Sequence, residues 1–342
     1  MTKNKQWVLA SHPDGMPSTD NWTLVERNLP EISEGQVQAK SIYLSVDPYM
    51  RGRISKASNY AAGVGIGDVM HGGGVGQVIA TKSPDFAIGD IVETIGFGWQ
   101  EYAALNANGL TKVDPDLGPI HSYLGYLGLP GLTAQIALDT IGDPKAGDTV
   151  VISAASGAVG QIAGQICKQK GTRVIAVASS QEKIDYCKSL GFDDGINYRS
   201  ESDLDGAMKA MCPGGVDVFF DNTAGPIHDA VMKNLALGAR IIICGTISLA
   251  SKFDEVDTGI RFMRQILVAR AKMQGFLYFD HLDKIDAARK AMSALEKTGK
   301  IKHREDILHG IDQMPTAFLR LLTGENFGKQ LVQTSSDPYI ES

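Results

Sequence analysis

The strongest constraint on the fold of this chain lies at residues 150–160, whose sequence is VVISAASGAVG. The β-branched run at the start predicts a buried strand, and the small residues after it predict a tight turn. A helix pattern follows, with Val159, Ile162 and Ile166 on one face. Strand, tight turn and helix in this order are what a dinucleotide pyrophosphate needs, because backbone amides at the helix start point toward the phosphates.

The turn departs from the G-x-G-x-x-G pattern at one position, since Ala155, Gly157 and Gly160 occupy the three glycine places. Small residues still allow the backbone to approach a ligand closely. A glycine-rich turn between a strand and a helix also occurs in proteins that bind nothing there. The turn by itself therefore leaves both a binding role and a purely structural role open.

Length and composition limit the classes of protein to which the chain can belong. With 342 residues the chain predicts two domains, and its net charge of −6 without a basic block disfavours nucleic-acid and membrane-surface partners. No stretch approaches the length of a membrane-spanning helix, and the first residues contain no apolar core of a secretion signal. We therefore expect a cytoplasmic protein.

The secondary-structure pattern changes along the chain. Up to about residue 120, short alternating runs separated by Gly, Pro and Asp predict a β-rich domain with the tight corners of a small barrel. From Tyr126, strands alternate with helices, as in a parallel sheet with crossover connections. We expect a helix that stops at Gly191, a last strand at residues 273–278 and an amphipathic helix from Leu282 to Thr298. The tail from Ile301 returns to short strands around a helix. We expect one domain formed by residues 1–125 and 300–342, and a second, Rossmann-type α/β domain with a doubly wound parallel sheet at residues 126–299.

The residues that follow the second predicted strand of the α/β domain indicate which dinucleotide is bound. An NAD-binding protein usually has Asp or Glu at this strand end, but Ser179 and Ser180 stand here, with Lys183 one turn later. A lysine and hydroxyl groups would hold a 2′-phosphate that a carboxylate would repel. The pattern favours NADPH, with a solvated surface lysine as the alternative interpretation of Lys183.

Cysteine and histidine residues give little sign of a metal site. Cys167, Cys187, Cys212 and Cys244 are far apart and form no C-x-x-C pair, which favours buried thiols over disulfides or metal ligands. His71 stands alone and lacks partner ligands nearby in the sequence. We expect no bound metal.

Several motifs in a fixed order resemble the zinc-independent branch of the medium-chain dehydrogenase/reductase superfamily, which includes leukotriene B4 12-hydroxydehydrogenase (prostaglandin reductase), plant double-bond reductases and curcumin reductase. The motifs span nearly the whole chain and include VDPYMRGR at residues 46–53, GLPGLTA at 128–134, QEK at 181–183, INY at 196–198, CGTIS at 244–248 and GENFGK at 324–329. The resemblance implies a GroES-like β-barrel-type domain beside the Rossmann domain.

The resemblance also assigns roles to positions that match. It implies that the pyrophosphate is held by the turn, the 2′-phosphate by Lys183 with Ser179, the adenosine end by Tyr198, and the nicotinamide end by two loops, Asn222 and the C-terminal return. The cofactor-binding positions implied in this way are Gly157, Ala158, Val159, Gly160, Ser179, Lys183, Tyr198, Asn222, Cys244, Gly245, Thr246, Ile247, Ser248, Phe276, Leu277, Tyr278 and Asn326.

The expected catalytic group is less well defined than the cofactor site. Relatives commonly have a tyrosine shortly after the CGTIS motif, where this chain has Ala250. Either the donor comes from elsewhere in the chain, or the cofactor's ribose hydroxyl suffices, or the substrate differs. Tyr49 is the first candidate to donate to a carbonyl oxygen, because its segment lies near the expected cleft, and Tyr60 and Tyr278 are the next candidates. The predicted acceptor pocket contains Tyr49, Arg51, Tyr60 and Tyr278.

The chemistry that the resemblance implies is transfer of a hydride from NADPH to the carbon–carbon double bond of an α,β-unsaturated ketone or aldehyde, without zinc. Two alternatives stay open. One is an NADPH:quinone oxidoreductase of the same superfamily, and the other is a non-catalytic NADPH-binding protein such as a sensor or a crystallin-like protein. The resemblance further suggests a homodimer in which sheet edges of the nucleotide-binding domains pair. The acceptor and the proton donor stay undetermined.

Overall fold

The computed structural model describes residues 2–56 and 60–340. The strands are β1 (Lys3–Leu9), β2 (Trp22–Asn28), β3 (Gln36–Ser45), β4 (Gly74–Thr81), β5 (Ile91–Thr94), β6 (Tyr102–Asn106), β7 (Thr111–Lys112), β8 (Thr149–Ser153), β9 (Arg173–Ala178), β10 (Asp194–Asn197), β11 (Val216–Asp221), β12 (Leu235–Ile243), β13 (Lys272–Gly275), β14 (Glu305–His309) and β15 (Lys329–Gln333). The α-helices are α1 (Met50–Arg53), α2 (Leu129–Ala137), α3 (Gly160–Gln169), α4 (Gln181–Ser189), α5 (Leu204–Met211), α6 (Gly225–Met232), α7 (Met263–Ala269), α8 (Ile285–Lys297) and α9 (Met314–Thr323). Within this part of the chain, no helix is long and apolar enough to cross a membrane.

Packing divides the chain into two compact units. The first contains the described residues up to 125, the segment Ala250–Glu255, and the described residues from 305 onward. The second contains Tyr126–Leu249 and Val256–Arg304. The segment Ala250–Glu255, which the sequence pattern leaves inside the α/β domain, packs with the first unit because the buried guanidinium of Arg51 donates to Ala250 O and Asp254 Oδ2.

The sheet of the first unit branches at β3. Its strand order is β14-β15-β3-β4-β5-β7, and β6 also pairs with β3. One half of β3 (residues 36–40) pairs with β6, its end (residues 43–45) pairs with β15, and β4 runs along most of its length. Almost all of these pairings are antiparallel; β14 and β15 run parallel. The long strand Gln36–Ser45 thus connects the N-terminal part of the chain to the C-terminal return.

Aromatic packing and one buried ion pair hold the C-terminal return in the first unit. Phe318 of α9 lies edge-on to Trp22 and Trp99, with ring centroids 5.8 and 5.9 Å away, and all three are buried. Lys329 of β15 is 3% exposed, and its Nζ donates to Asp47 Oδ1 (2.6 Å), Ser45 Oγ (2.8 Å) and Val46 O (2.9 Å). The cation therefore ties the last strand to the segment just before α1.

The second unit has the expected doubly wound topology. Its sheet is parallel throughout, with strand order β10-β9-β8-β11-β12-β13. The strands at its centre are continuously apolar because both faces are covered, and Val151, Ile175 and Phe219 are fully buried in one core cluster. The prediction that α4 ends at Gly191 is confirmed, since Gly191 adopts φ +95°.

Two elements near the end of the second unit are shorter than the sequence pattern predicts. The last strand is Lys272–Gly275, so the expectation of a strand up to Tyr278 is wrong beyond Gly275. Residues Tyr278–Lys284 form a 3₁₀ segment, and α8 begins at Ile285 because the backbone of His281 is non-helical (φ −132°, ψ 32°). The three thiols of Cys167, Cys187 and Cys212 are buried and free, and Cys244 is free and partly exposed.

We predict that Lys329→Met lowers the free energy of unfolding by about 3–5 kcal/mol, because the change leaves a buried carboxylate without its cation. Denaturant-induced unfolding of the full chain measures the effect. The double variant Asp47→Asn with Lys329→Met should recover part of the loss, and Lys40→Met, on an exposed position of β3, should change stability by less than about 0.5 kcal/mol. A loss below about 1 kcal/mol for Lys329→Met would show that the ion pair does not hold the return.

Candidate functional site

Most of the predicted cofactor residues follow the carboxyl ends of the parallel strands in the second unit. The turn follows β8, Ser179 follows β9, Tyr198 follows β10, Asn222 follows β11, Cys244 follows β12 and Phe276 follows β13. The strand order reverses at β8, which lies between β9 and β11. In open α/β sheets, ligands bind outside the carboxyl ends of the strands at this reversal point. The topology thus gathers these positions at one edge.

The turn after β8 brings two backbone segments unusually close together. A Cβ atom on Gly160 would lie 2.5 Å from Ala154 O and 2.7 Å from Ala155 Cα, so only glycine fits. Ala154 itself adopts φ +48°, a left-handed conformation that is costly for a residue with a Cβ. This close approach requires the glycine that the sequence places at residue 160. The residue with the left-handed backbone is Ala154, which directly precedes Ala155.

Unsatisfied backbone donors lie at the start of α3. In the described part of the chain, no protein acceptor pairs with the amide N–H groups of Ala158, Val159 and Gly160, whereas Gly157 N donates to Ala154 O and Gln161 N donates to Gly157 O. The helix has no side-chain cap. Free N–H groups and the positive end of the helix dipole together favour an anion here.

A hydroxyl, a cation and an aromatic ring lie side by side after β9 and β10. Lys183 Nζ donates to Ser179 Oγ at 3.3 Å, and Ser180 caps α4 by accepting from Lys183 N. Tyr198 N donates to Ala178 O, which places the tyrosine next to the end of β9. Among these residues no carboxylate occupies the strand end, so the position suits a phosphorylated ribose better than a ribose with free hydroxyl groups.

A buried carboxylate that the sequence analysis did not single out organises the loops after β8 and β11. Asp221 is fully buried, and its carboxylate accepts from Ser153 Oγ (3.1 Å), Thr223 N (2.9 Å) and His228 Nδ1 (2.8 Å). Asn222 is held to the same strand end, because its Nδ2 donates to Ser153 O at 2.8 Å. A buried Asp at the end of an apolar strand is the sequence signal that could have identified it.

The loops after β12 and β13 are also fixed by backbone contacts. Gly245 N donates to Asp221 O, and a Cβ on Gly245 would lie 2.9 Å from Asn222 O. Phe276 N donates to Ile243 O, and the ring of Phe276 stacks on His281 with centroids 5.0 Å apart. Burial raises the pKa of Cys244 to about 12, so the thiol is neutral at physiological pH. Backbone hydrogen bonds thus hold both loops against neighbouring strand ends, and the loops themselves carry few charged side chains.

Tyr49 in the first unit has a buried hydroxyl that lacks a partner in the described part of the chain. It precedes α1, and no hydrogen-bond partner for its Oη is found among the described residues. Burial first, and then the charge of Asp47, raise the pKa of Tyr49 well above its usual value, so the phenol stays protonated. A neutral phenol with an unused O–H can donate to an oxygen of a bound molecule.

The other predicted pocket residues differ in their surroundings. Arg51 is 2% exposed and its Nε donates to Ala250 O at 2.8 Å, while Nη2 donates to Gly15 O at 3.0 Å. Tyr60 is 51% exposed. Tyr278 lies in the second unit, and Asn326, in the first unit, donates from Nδ2 to Gly328 O at 2.9 Å.

Comparison with known proteins identifies the chain. A family model described as the N-terminal domain of oxidoreductase matches residues 5–113, and one described as zinc-binding dehydrogenase matches residues 158–297. The NADPH-dependent curcumin reductase of Escherichia coli is 39% identical over 98% of both chains. The NADP(+)-dependent 2-alkenal reductase of Nicotiana tabacum is 37% identical, again over 98% of both chains. The chain belongs to the zinc-independent medium-chain dehydrogenase/reductases.

A solved structure of this family agrees with the fold. The structure of CurA in complex with NADPH from Vibrio vulnificus is 41% identical, matches with a TM-score of 0.91, and covers 97% of this chain and all of that chain. Within residues 2–56 and 60–340, no group of three or more His, Cys, Asp or Glu side chains is placed to hold a metal ion.

Proposed function

We propose that this chain is an NADPH-dependent reductase that transfers a hydride to the carbon–carbon double bond of an α,β-unsaturated ketone or aldehyde. The observation that carries the proposal is the strand-end edge of the second unit, where amides at the start of α3 have no acceptor among the described residues and Lys183 lies beside Ser179. Two relatives of nearly equal length are reductases named for NADPH or NADP(+) and for curcumin or 2-alkenal substrates. Membership of the family and this edge support the same chemistry.

The residues present fit the cofactor. The amides of Ala158, Val159 and Gly160 suit the pyrophosphate, and Gly160 leaves room because any Cβ there meets backbone. Lys183 and Ser179 suit the 2′-phosphate, and Tyr198 the adenosine end. For the nicotinamide end we propose Asn222, the loop of residues 244–248, the loop of residues 276–278, and Asn326. When bound, NADPH supplies the hydride.

The protein's own contribution is to stabilise the charge that develops on the acceptor. As the β carbon receives the hydride, the electron pair of the double bond moves to the carbonyl oxygen and forms an enolate. We propose that Tyr49 donates its O–H to this oxygen, since its hydroxyl is buried, protonated and free of protein acceptors in the described chain. A proton then adds at the α carbon. Tyr60 and Tyr278 are proposed as pocket walls, and Arg51 as the residue that holds Ala250–Glu255 in position.

We propose a cytoplasmic location. The four cysteine thiols are unpaired in the described structure, which suits a reducing compartment.

We also propose a homodimer that forms through β13. This strand is the edge of the six-stranded sheet, and all four of its residues are exposed. Apolar side chains of α7, which packs on β12, are exposed nearby, among them Met263 (69%) and Leu267 (74%). A second copy is the occupant that suits an open strand edge, because a twofold axis places the same edge antiparallel to itself.

The cofactor proposal predicts that Lys183→Ala weakens NADPH binding by about 1.5–3 kcal/mol, because a charge-assisted hydrogen bond to the 2′-phosphate is lost. NADH binding should barely change. Fluorescence titration of both cofactors measures the difference, and Lys188→Ala is the matched control on the same helix, since Lys188 pairs with Asp194. Equal weakening for both cofactors would remove Lys183 from the 2′-phosphate site.

The acceptor proposal predicts that the protein oxidises NADPH with simple alkenals and enones faster than with quinones. Tyr49→Phe should lower kcat by about 10- to 100-fold with enones and leave the affinity for NADPH within about twofold, because the lost O–H acts on the enolate oxygen. Tyr339→Phe, at an exposed site, is the control. Quinones as the preferred acceptors would favour the quinone reductase. Tight NADPH binding without turnover would favour a non-catalytic role, and unchanged turnover in Tyr49→Phe would require another donor.

The dimer proposal predicts that Met273→Asp, which places a carboxylate on the edge strand, shifts the protein toward a monomer in multi-angle light scattering. Leu237→Asp, at a site that is 66% exposed and in β12, should leave the dimer intact. A wild-type protein that is monomeric at micromolar concentration, or a Met273→Asp variant that stays dimeric, contradicts an interface through β13.

A further inference from the structure

A cavity of about 380 Å³ lies within the first unit, in the part of the chain that follows Tyr49. Its lining residues are Arg53, Ala62, Gly63, Val64, Asp68, Val69, His71, Gly96, Phe97, Gly98 and Gln100. Val64 and Phe97 form apolar walls, and the polar side chains that line it are Arg53, Asp68, His71 and Gln100. The volume is at the small end of the range for ligand pockets, large enough for a short chain with one polar group.

One side of the Arg53 guanidinium has no hydrogen-bond partner within the described ranges 2–56 and 60–340. Its Nη1 donates to Ala62 O at 2.8 Å, while its Nε is buried and has no acceptor among the described residues. No carboxylate in this part of the chain lies within ion-pair distance of Arg53. The face of the guanidinium lies over the ring of Tyr49, with Cζ 5.8 Å from the ring centroid. An Arg that is held in this way offers the Nε and Nη2 edge as a fork, which matches the two oxygens of a carboxylate.

His71 adds a second unused polar atom to the cavity. Its Nε2 is buried and has no partner among residues 2–56 and 60–340, and its ring lies edge-on to Tyr49 at 5.8 Å. Burial first, and then the charge of Arg53, lower the pKa of His71 to about 4, so the imidazole is neutral. With its proton on Nε2, the ring can donate a hydrogen bond to a carboxylate oxygen. Gln100 differs, because its Nε2 donates to Phe97 O and its Oε1 accepts from Gln6 Nε2.

Asp68 is the charged group that opposes an anion in this cavity. Its residue is exposed, and its carboxylate is farther than ion-pair distance from Arg53. Water and salt therefore screen its repulsion more than they screen the attraction of the half-buried Arg53. The carboxylate of Asp47, whose charge also acts on His71, is paired with Lys329, so Arg53 is the cation among the lining residues that can attract an anion.

We propose that the Arg53 fork, assisted by His71, binds a carboxylate of the acceptor, so that the enzyme prefers enones which carry a carboxylate on the same chain as the reacting double bond. The inference rests on the proposed reductase function and names its substrate class. Tyr49 lies under the same guanidinium, so a bound carboxylate anchors the acceptor beside the hydroxyl that is proposed to donate to its carbonyl. Arg53 thereby determines the specificity for the acceptor.

The test compares straight-chain enones that end in a carboxylate, with a short and a long spacer, against their methyl esters. For the wild-type enzyme with NADPH, the KM of at least one acid should lie below that of its ester. Arg53→Gln should raise the KM of that acid by about 10- to 100-fold and leave the ester within about twofold, since only the acid uses the fork. Arg53→Lys should restore part of the preference, because it keeps the charge and loses the fork.

Asp68→Asn is the matched variant, and its effect on the KM of the acid should have the opposite sign to that of Arg53→Gln. It should lower the KM of the acid by about two- to fivefold and leave the ester unchanged, because it removes a repulsive carboxylate at an exposed site. Equal effects of Arg53→Gln on acid and ester, or a wild-type enzyme that prefers each ester to its acid, would overturn the proposal. An Arg53→Gln variant that does not fold leaves the decision to Asp68→Asn and Arg53→Lys.

A binding measurement separates this proposal from the proposed function. Calorimetric titration of the saturated keto acid, the expected product, into the enzyme loaded with NADP⁺ reports the carboxylate site without turnover. Binding that is lost in Arg53→Gln supports the site even if no enone is reduced, in which case the reductase function fails alone. Turnover of neutral enones without any binding of the keto acid leaves the reductase function standing and overturns the carboxylate site.

Discussion

The buried contact between Lys329 and Asp47 is the interaction on which the first unit most depends. It joins residues 282 positions apart in the chain and holds the last strand against the end of β3. A charge at 3% exposure is costly unless it is fully paired, and here the ammonium has three oxygen partners. Because Tyr49 directly precedes α1 and Arg53 ends it, the same ion pair fixes the start of the segment that contains the proposed donor and the proposed carboxylate fork.

The second unit depends on close backbone approach rather than on charge. Gly160 and Gly245 sit where a Cβ would meet backbone atoms of a neighbouring loop, and Gly164 sits where a Cβ would lie 1.9 Å from the ring of Phe192. These glycines let α3 pack tightly on the sheet and leave the first amides of the helix open. Asp221 then fixes the loops after β8 and β11 with one buried carboxylate. The result is a strand-end edge, formed largely by backbone, at which we propose that the pyrophosphate binds.

The absence of a tyrosine at Ala250 changes how the site is interpreted. Ala250 is buried, and its carbonyl oxygen accepts from Arg51, so the motif arginine secures the segment Ala250–Glu255. Among the described residues of the first unit, Tyr49 has a phenolic hydroxyl without a hydrogen-bond partner, and its ring lies next to the guanidinium of Arg53 and the neutral ring of His71. We propose that Tyr49 stabilises the enolate oxygen, and that Arg53 and His71 recognise a carboxylate of the acceptor.

The sequence alone determined the class of fold, the family and the cofactor NADP(H), because these depend on local patterns: a buried strand, small residues at a turn, and a lysine where a carboxylate is expected. It also identified Gly160, where a Cβ would meet backbone atoms, whereas the binding of a 2′-phosphate by Lys183 stays a prediction. It placed the end of β13 and the start of α8 wrongly, since the non-helical backbone at His281 leaves no trace in the apolar spacing. Only the tertiary structure decided that Ala250–Glu255 packs with the first unit, that Lys329 neutralises Asp47, and that Arg53 and His71 share a cavity with unused donors. These depend on contacts between residues far apart in the chain, whose desolvation and pairing no local pattern records.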